Sequence, residues 1–95
     1  MSNQPPSFEN ATISDHALEQ MAARGISIDI LNAVLRSPDS VAPVRSGRVV
    51  VQKIVGFGQP ERDYLVRVFI DVDRQHPEVV TAYRTSKIRK YTDQQ

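Results

Sequence analysis

The stretch YLVRVFIDV (Tyr64–Val72) is the clearest strand in this sequence of 95 residues and decides how the rest is arranged. It is rich in β-branched and aromatic residues, and its side chains alternate in character. One face carries only aliphatic side chains, which are Val66, Val68, Ile70 and Val72. The other face carries Arg67, Phe69 and Asp71. This alternation predicts a sheet with one face against the core and the mixed face open.

Shorter patterns on both sides of this stretch predict the neighbouring strands. RVVVQKIV (Arg48–Val55) is a β-branched strand, and the last strand runs from about Val79 to Tyr83 or Arg84. VAPV (41–44) contains Pro43 and is therefore an edge strand at best. Because the loops between successive strands are short, we expect an antiparallel meander of three or four strands.

Two helices are predicted before the strands. Ser14 is a good N-cap and Gly25 is typical of a helix stop, so the first helix is expected at Asp15–Arg24. Ser27 caps the second helix, which ends at the Ser37-Pro38 step because a residue before proline avoids helical geometry. The predicted apolar stripes are Ala17, Leu18, Met21 and Ala22 in the first helix and Ile28, Leu31, Val34 and Leu35 in the second.

The order of these elements predicts an α+β fold, with two N-terminal helices packed on a three- to four-stranded antiparallel sheet. Residues 1–12 are expected to be a flexible leader, since Pro5-Pro6 blocks regular structure. Residues 13–91 would form a single α+β domain, and residues 92–95 a C-terminal tail. The two helices can cover only one face of the sheet.

The composition excludes several classes of protein. The absence of cysteine rules out disulfides, thiolate metal sites and a thiol nucleophile. The N-terminal residues do not resemble a secretory signal, and no apolar run approaches the roughly 20 residues of a membrane span. We therefore expect a cytoplasmic protein without membrane contact. The net charge of +1 is unevenly spread: residues 1–40 hold five acidic and two basic residues, and residues 41–95 six acidic and ten basic.

The last strand decides which side chains reach the open face. Alternation predicts that Val80 and Ala82 point into the core and that Thr81 and Tyr83 lie on the open face near Arg67. Arg84 has the alternation of the core residues. It stands at the strand end, however, where a twist or bulge can re-aim its side chain toward the open face.

The segment SDHALEQMAARGIS (Ser14–Ser27) resembles the opening of a family of small bacterial domains, the domain of unknown function 4258. The residues that fit this opening are His16, Ala17, Met21, Arg24, Gly25 and Ile26. Gln20 departs from it, since the family often has a basic residue there. The closing VVTAYRTSKIRKY (79–91) also resembles the family, so the likeness spans about Ser14 to Tyr91.

This family is similar to the RelE/ParE- and BrnT-type toxins, whose fold packs N-terminal helices on an antiparallel sheet. The resemblance therefore implies a toxin-like, metal-independent ribonuclease or RNA-binding domain of a toxin–antitoxin system, with RNA and an antitoxin protein as partners. BrnT-like chains have a comparable junction between a strand and a basic end. That likeness implies a functional role for Arg84.

Cleavage of RNA without a metal needs a base for the 2′-hydroxyl, a positive group for the phosphorane and an acid for the leaving oxygen. His16 is the acid or base that the family match favours; its alternative is a surface histidine in a first helical turn. Arg67 and Arg84 would stabilise phosphate charge, because guanidinium groups match phosphate oxygens. Tyr83 would position the substrate. The structural alternatives are a solvated strand arginine, a solubilising tail and cross-strand packing.

Further residues are predicted to contact the RNA backbone or extend the basic patch, namely Arg24, Lys53, Thr81, Thr85, Lys87 and Lys90. Arg24 has a structural alternative as a favourable cation at a helix C terminus. No metal site or cofactor is expected, because the Asp71, Asp73 and His76 segment is typical of a turn.

A rival hypothesis is a non-catalytic protein-interaction module or a degenerate toxin, in which the same open face binds a partner or a second copy of the chain. The ribonuclease hypothesis makes one geometric demand. It requires that His16, Arg67, Tyr83 and Arg84 converge in a single concave patch.

Overall fold

The computed structural model describes residues 7–92. Residues 1–6, with the Pro5-Pro6 step of the expected leader, and residues 93–95 of the expected tail lie outside the described residues. The elements are β1 (Thr12–Ile13), α1 (Asp15–Ala23), α2 (Ile28–Arg36), β2 (Ser40–Arg45), β3 (Arg48–Phe57), β4 (Arg62–Asp71), β5 (Glu78–Thr85) and α3 (Ile88–Thr92).

The strands form one sheet in the order β1-β5-β4-β3-β2, and α1 and α2 pack against one of its faces. The α+β class is confirmed. The expectation of three or four antiparallel strands is wrong, because β1 adds a fifth strand that runs parallel to β5. Thr12 N–H donates to Pro77 O at 2.9 Å and Ser14 N–H to Val79 O at 3.0 Å. A strand of two residues is too short to leave an alternating pattern in the sequence.

The local signals at the ends of α1 act as expected. Ser14 Oγ accepts the Ala17 N–H at 3.0 Å. At the other end Gly25 has a φ of +69°, and Ile26 N–H donates to Met21 O at 2.9 Å. This is the hydrogen bond of a Schellman stop, and it turns the chain directly into α2, whose N-cap is Ser27.

The core lies between the two helices and the aliphatic face of β4. Val66, Val68 and Ile70 are fully buried, as expected, whereas Val72 lies beyond the strand and is 38% exposed. The buried apolar stripes of α1 and α2 contain fewer residues than the sequence predicts. The buried helical residues are Ala17 and Met21 in α1 and Leu31, Val34 and Leu35 in α2, while Leu18, Ala22 and Ile28 are exposed.

A β-bulge in β5 changes which valine of that strand enters the core. Thr81 pairs with Phe69 and Val79 with Ile70, so Val80 is the extra residue on β5. Val79 and Ala82 are fully buried, and Val80 is only half-buried. The expectation of Val80 in the core is therefore wrong. The alternation recovers after the bulge, so Thr81 and Tyr83 have the predicted orientation.

The chain contacts the domain before the boundary that was expected at residue 13. Phe8 packs against the core, and its N–H donates to Leu35 O at 2.8 Å. Ser7 Oγ donates to the same carbonyl at 3.3 Å. Within residues 7–92, none of the helices has the length and hydropathy needed to cross a membrane.

Candidate functional site

The strand register arranges the open face of the sheet in rows of side chains that run across the strands. One row, which we call the arginine row, consists of Ser40, Gln52, Arg67 and Tyr83. The next, the apolar row, consists of Ala42, Val50, Phe69 and Thr81. Within each row every residue pairs directly with the next across the ladder. The side chains are therefore close enough to form continuous contacts.

Hydrogen bonds link the whole arginine row. Arg67 Nε donates to Gln52 Oε1 at 2.5 Å, and Arg67 Nη1 donates to Tyr83 Oη at 2.7 Å. Gln52 Nε2 donates to Ser40 Oγ at 3.1 Å. The guanidinium is thus held from two sides, which fixes its plane above the sheet. The predicted proximity of Arg67, Thr81 and Tyr83 on the open face is confirmed.

Helix α3 folds back and places Tyr91 on this arginine. The Tyr91 ring centroid lies 4.1 Å from Arg67 Cζ, and the rings of Phe69 and Tyr83 lie at 5.5 and 5.7 Å. The Phe69 and Tyr83 rings stack with centroids 6.1 Å apart. These distances fall in the range of cation–π contacts, so Arg67 is surrounded by aromatic rings.

The two tyrosines of this cluster differ in acidity. A hydrogen bond from Tyr83, helped by the charges of Lys90 and Arg67, lowers the pKa of Tyr91. Burial, followed by the hydrogen bond it shares with Tyr91, raises the pKa of Tyr83. Tyr83 therefore keeps its proton and donates it to the Tyr91 oxygen, which is the easier of the two to ionise.

A cavity of about 740 Å³ opens beside this cluster, between the face of β2–β4 and α3. Its floor is apolar, formed by Ala42, Val50 and Phe69. Ser40, Gln52 and Arg67 line one side, and Tyr91 stands above them. A concave site that combines an apolar floor with polar groups at one side is typical of pockets that bind small ligands.

Arg84 lies on the opposite face of the sheet. It pairs with the core residue Val66, whereas Arg67 pairs with Tyr83. Its guanidinium Cζ lies 4.3 Å from the Phe57 ring and 4.9 Å from the Tyr64 ring. The expectation of one shared patch is therefore wrong. The bulge that changes the alternation is at Val80, upstream of Ala82, so the alternation after it keeps Arg84 on the helix side.

Arg24 belongs to the same junction as Arg84. Arg24 Nη1 donates to Ala82 O at 2.9 Å, which ties the end of α1 to β5. One terminal nitrogen of Arg84 comes within 3.2 Å of the position that a Cβ would take at Gly25. Both arginines thus pack where α1 ends against β5, on the helix side of the sheet. The arginine row lies on the other face.

Two other predicted residues also lie away from the open face. His16 is exposed on α1, in the helix layer. Lys53 pairs with Val66 and so points to the helix side, where Nζ donates to Ser37 O at 2.8 Å and lies 3.7 Å from Asp39. The structure therefore does not bring His16 or Lys53 together with Arg67.

The remaining predicted contacts lie around α3 and the end of β5. Thr85 pairs with Leu65 on the open face, and its Oγ1 accepts the Lys87 N–H at 3.1 Å. Lys87 and Lys90 are exposed, and Lys90 Nζ lies 5.4 Å from the Tyr91 ring. Lys90 therefore lies beside Tyr91, the residue of α3 that contacts Arg67.

Sequence reasoning missed three members of the site, namely Ser40, Gln52 and Tyr91. Gln52 had a detectable signal in the sequence, because it is a polar residue within an aliphatic run and its alternation places it on the open face. In the structure it is only 6% exposed. Tyr91 had no such signal. Its position depends on how α3 docks, which no period in the sequence encodes.

The buried acidic residue of β4, Asp71, already has ion-pair partners. Arg48 Nε lies 2.5 Å and Arg74 Nη2 3.0 Å from the carboxylate of Asp71. The hydrogen bond from Arg48 lowers the pKa of Asp71, although burial opposes it. Among the described residues, no group of three or more histidine, cysteine or acidic side chains has the arrangement of a metal site.

The comparisons with known proteins concern the family. No curated protein and no solved structure matches the chain. The sequence model of the family described as Domain of unknown function (DUF4258) matches residues 13–84. That range includes both helices of the α1–α2 hairpin and the strands that carry Arg67, Tyr83 and Arg84, and it ends before Tyr91. The likeness of the helical opening is thereby confirmed, and the chain belongs to the DUF4258 family.

Proposed function

We propose that this protein is a toxin-like RNA-binding domain that cleaves RNA without a metal, and that it works at the arginine row on the open face. The proposal keeps the function implied by the likeness to RelE- and BrnT-type toxins. It moves the site away from His16 and Arg84 and centres it on Arg67. The observation that carries it is the position of Arg67, held by Gln52 and Tyr83 beside a cavity.

The partners of Arg67 support phosphate as its ligand. Within residues 7–92 no carboxylate forms an ion pair with Arg67. Two of its N–H groups bind neutral side chains, and the others remain for a ligand. A fixed guanidinium that no carboxylate neutralises is the group that a phosphate or phosphorane requires.

The neighbouring groups supply the proton transfers. Tyr91, with its lowered pKa, would take the proton of the 2′-hydroxyl, and the 2′-oxygen would attack phosphorus. Arg67 would stabilise the phosphorane as the bond to the 5′-oxygen breaks. Lys90, exposed beside Tyr91, would give its proton to that leaving oxygen. The products are a 2′,3′-cyclic phosphate and a 5′-hydroxyl.

The test is cleavage of end-labelled RNA by the purified protein in the presence of EDTA. We expect strands with 2′,3′-cyclic phosphate ends, and a loss of about 100-fold in rate on Arg67→Ala, the size of effect seen when one transition-state donor is removed. Arg62→Ala is the matched control, because Arg62 lies on the same strand and is exposed. Intact RNA, together with unaffected growth of cells that express the protein alone, would remove the ribonuclease proposal.

The second candidate is a non-catalytic interaction module that uses the same face to bind an antitoxin-like partner or a second copy of the chain. Exposed aliphatic side chains at the rim favour it, since Val44 is 47% and Ile54 43% exposed. The dependence of binding on salt concentration distinguishes the two functions. RNA binding should weaken steeply between low and moderate salt, whereas an apolar protein interface should not.

A further inference from the structure

We propose that the cavity beside Arg67 takes one unpaired nucleobase of the RNA, and that it prefers a base with a keto group, as in uracil or guanine. This inference rests on the proposed function, since the phosphate next to that base would lie on Arg67. It adds a base-binding site to a face that otherwise recognises only charge.

The shape of the cavity fits a planar ring. Phe69 and Val50 form an apolar floor, and Ala42 extends it toward the edge strand β2. The volume of about 740 Å³ falls within the range of small-ligand pockets and exceeds what a single base needs, which leaves room for its sugar. Unpaired bases bind proteins chiefly by stacking on aromatic side chains, and Phe69 and Tyr91 are the aromatic residues of this lining.

The direction of the hydrogen bonds in the arginine row determines which donors and acceptors the polar side of the cavity presents to a ligand. Arg67 can only donate, so Gln52 must turn its amide oxygen toward Arg67 and its NH₂ group toward Ser40. Ser40 Oγ therefore accepts from Gln52, and its own proton is left to donate. The chain of bonds that starts at Arg67 thus presents a hydroxyl donor to the cavity.

A donor at this position selects among the bases. Uracil O4 and guanine O6 are acceptors, whereas cytosine and adenine carry an amino donor at the equivalent position. The Ser40 donor therefore matches the keto edge of uracil and guanine.

The test compares short single strands that carry equal charge. Hexanucleotides of uracil, of cytosine and of abasic sugar, all with 2′-deoxy sugars to prevent cleavage, are titrated at one ionic strength. We expect the uracil strand to bind at least about fivefold more tightly than the abasic strand, the low end of the contribution of one stacked base. We also expect it to bind about fivefold more tightly than the cytosine strand, the effect of one hydrogen bond.

Two variants test whether the preference for uracil depends on the cavity. Ala42→Leu fills the floor of the cavity and should abolish the advantage of uracil over the abasic strand. Ala22→Leu, the same change at an exposed position of α1, is the matched control. Ser40→Ala removes the donor and should abolish only the preference for uracil over cytosine.

The outcomes separate this inference from the proposed function. Equal binding of uracil and abasic strands, with affinity that still depends on Arg67, would overturn the base site and leave the phosphate site standing. Equal binding of uracil and cytosine strands would overturn the keto preference. If none of the strands binds, both the base site and the proposed function are overturned. The comparison of strands uses the unaltered protein, so it does not depend on the folding of a variant.

Discussion

Arg67 and Arg84 lie on opposite faces of the same sheet, because Arg67 pairs with Tyr83 and Arg84 pairs with Val66 on adjacent strands. Their environments differ accordingly. Arg67 is held by polar side chains beside a cavity, whereas Arg84 stacks on Phe57 and Tyr64 next to the end of α1. Arg84 at the end of β5 therefore contacts the helix side of the sheet, whereas Arg67 of β4 lies at the cavity on the open face.

This separation predicts different effects of two alanine substitutions on RNA affinity. Arg67→Ala should weaken RNA binding strongly, and it should also destabilise the fold by about 1 kcal/mol, because the buried Gln52 loses its donor and the rings lose a cation. Arg84→Ala should leave RNA affinity nearly unchanged and destabilise the fold by about 1 kcal/mol, the size of a partly exposed cation–π contact. Urea denaturation and RNA titration of both variants check the prediction. Equal loss of RNA affinity in the two variants would contradict a site on one face.

The hydrogen bond between Tyr83 and Tyr91 predicts how the ionisation of Tyr91 responds to substitution of its partner. Tyr83→Phe removes the largest cause of the lowered pKa of Tyr91, so that pKa should rise toward its ordinary value of 10.0. Absorbance of tyrosinate against pH should show the earliest ionisation move to higher pH, and any cleavage that uses Tyr91 as base should follow it. Tyr64→Phe is the control. An unchanged titration after Tyr83→Phe would show that this hydrogen bond does not control Tyr91.

The lowered pKa of Asp71 predicts how the free energy of unfolding depends on pH. Its pKa lies below the ordinary value of 3.8 because of Arg48, so its contribution is complete above that value and is lost as the pH falls through the lowered pKa. Asp71→Asn should cost about 1–2 kcal/mol at neutral pH, since it removes the charge that pairs with the half-buried Arg48 and the exposed Arg74. It should also flatten the loss of stability in acid.

Asp63→Asn is the matched control for that substitution, because Asp63 is an exposed aspartate of the same strand. Thermal unfolding of both variants between neutral and strongly acid pH measures the difference. A variant with Asn at position 71 that stays as stable as the parent protein would mean that the cluster contributes no net stability.

The bulge in β5 predicts unequal effects at neighbouring valines. Val79→Ala should destabilise the fold by about 2 kcal/mol, because it removes methyl groups from a fully buried site. Val80→Ala should cost less than about 1 kcal/mol, since Val80 is half-buried at the bulge. Chemical denaturation measures both. The reverse order would place the bulge elsewhere.

Much of the fold follows from short segments of sequence. The caps at Ser14 and Ser27 and the stop at Gly25 depend on hydrogen bonds within a few residues, so local sequence is enough to predict them. The open-face position of Arg67 and Tyr83 follows from the two-residue period of strands. These features needed no knowledge of the partner strands.

Other features depend on the rest of the molecule. The bulge at Val80 arises where β5 must match β4 while it also packs on α1, and β1 forms only because the chain returns beside β5. The final position of Arg84 and the docking of Tyr91 on Arg67 follow from that packing.

The sequence by itself therefore determined the helix ends and the side of the sheet on which Arg67 and Tyr83 lie, because those properties come from neighbours along the chain. Only the tertiary structure decided that no twist or bulge turns Arg84 back toward this site and that Ser40, Gln52 and Tyr91 complete it. Strand register and helix docking depend on contacts between residues far apart in sequence, and such contacts leave no local pattern.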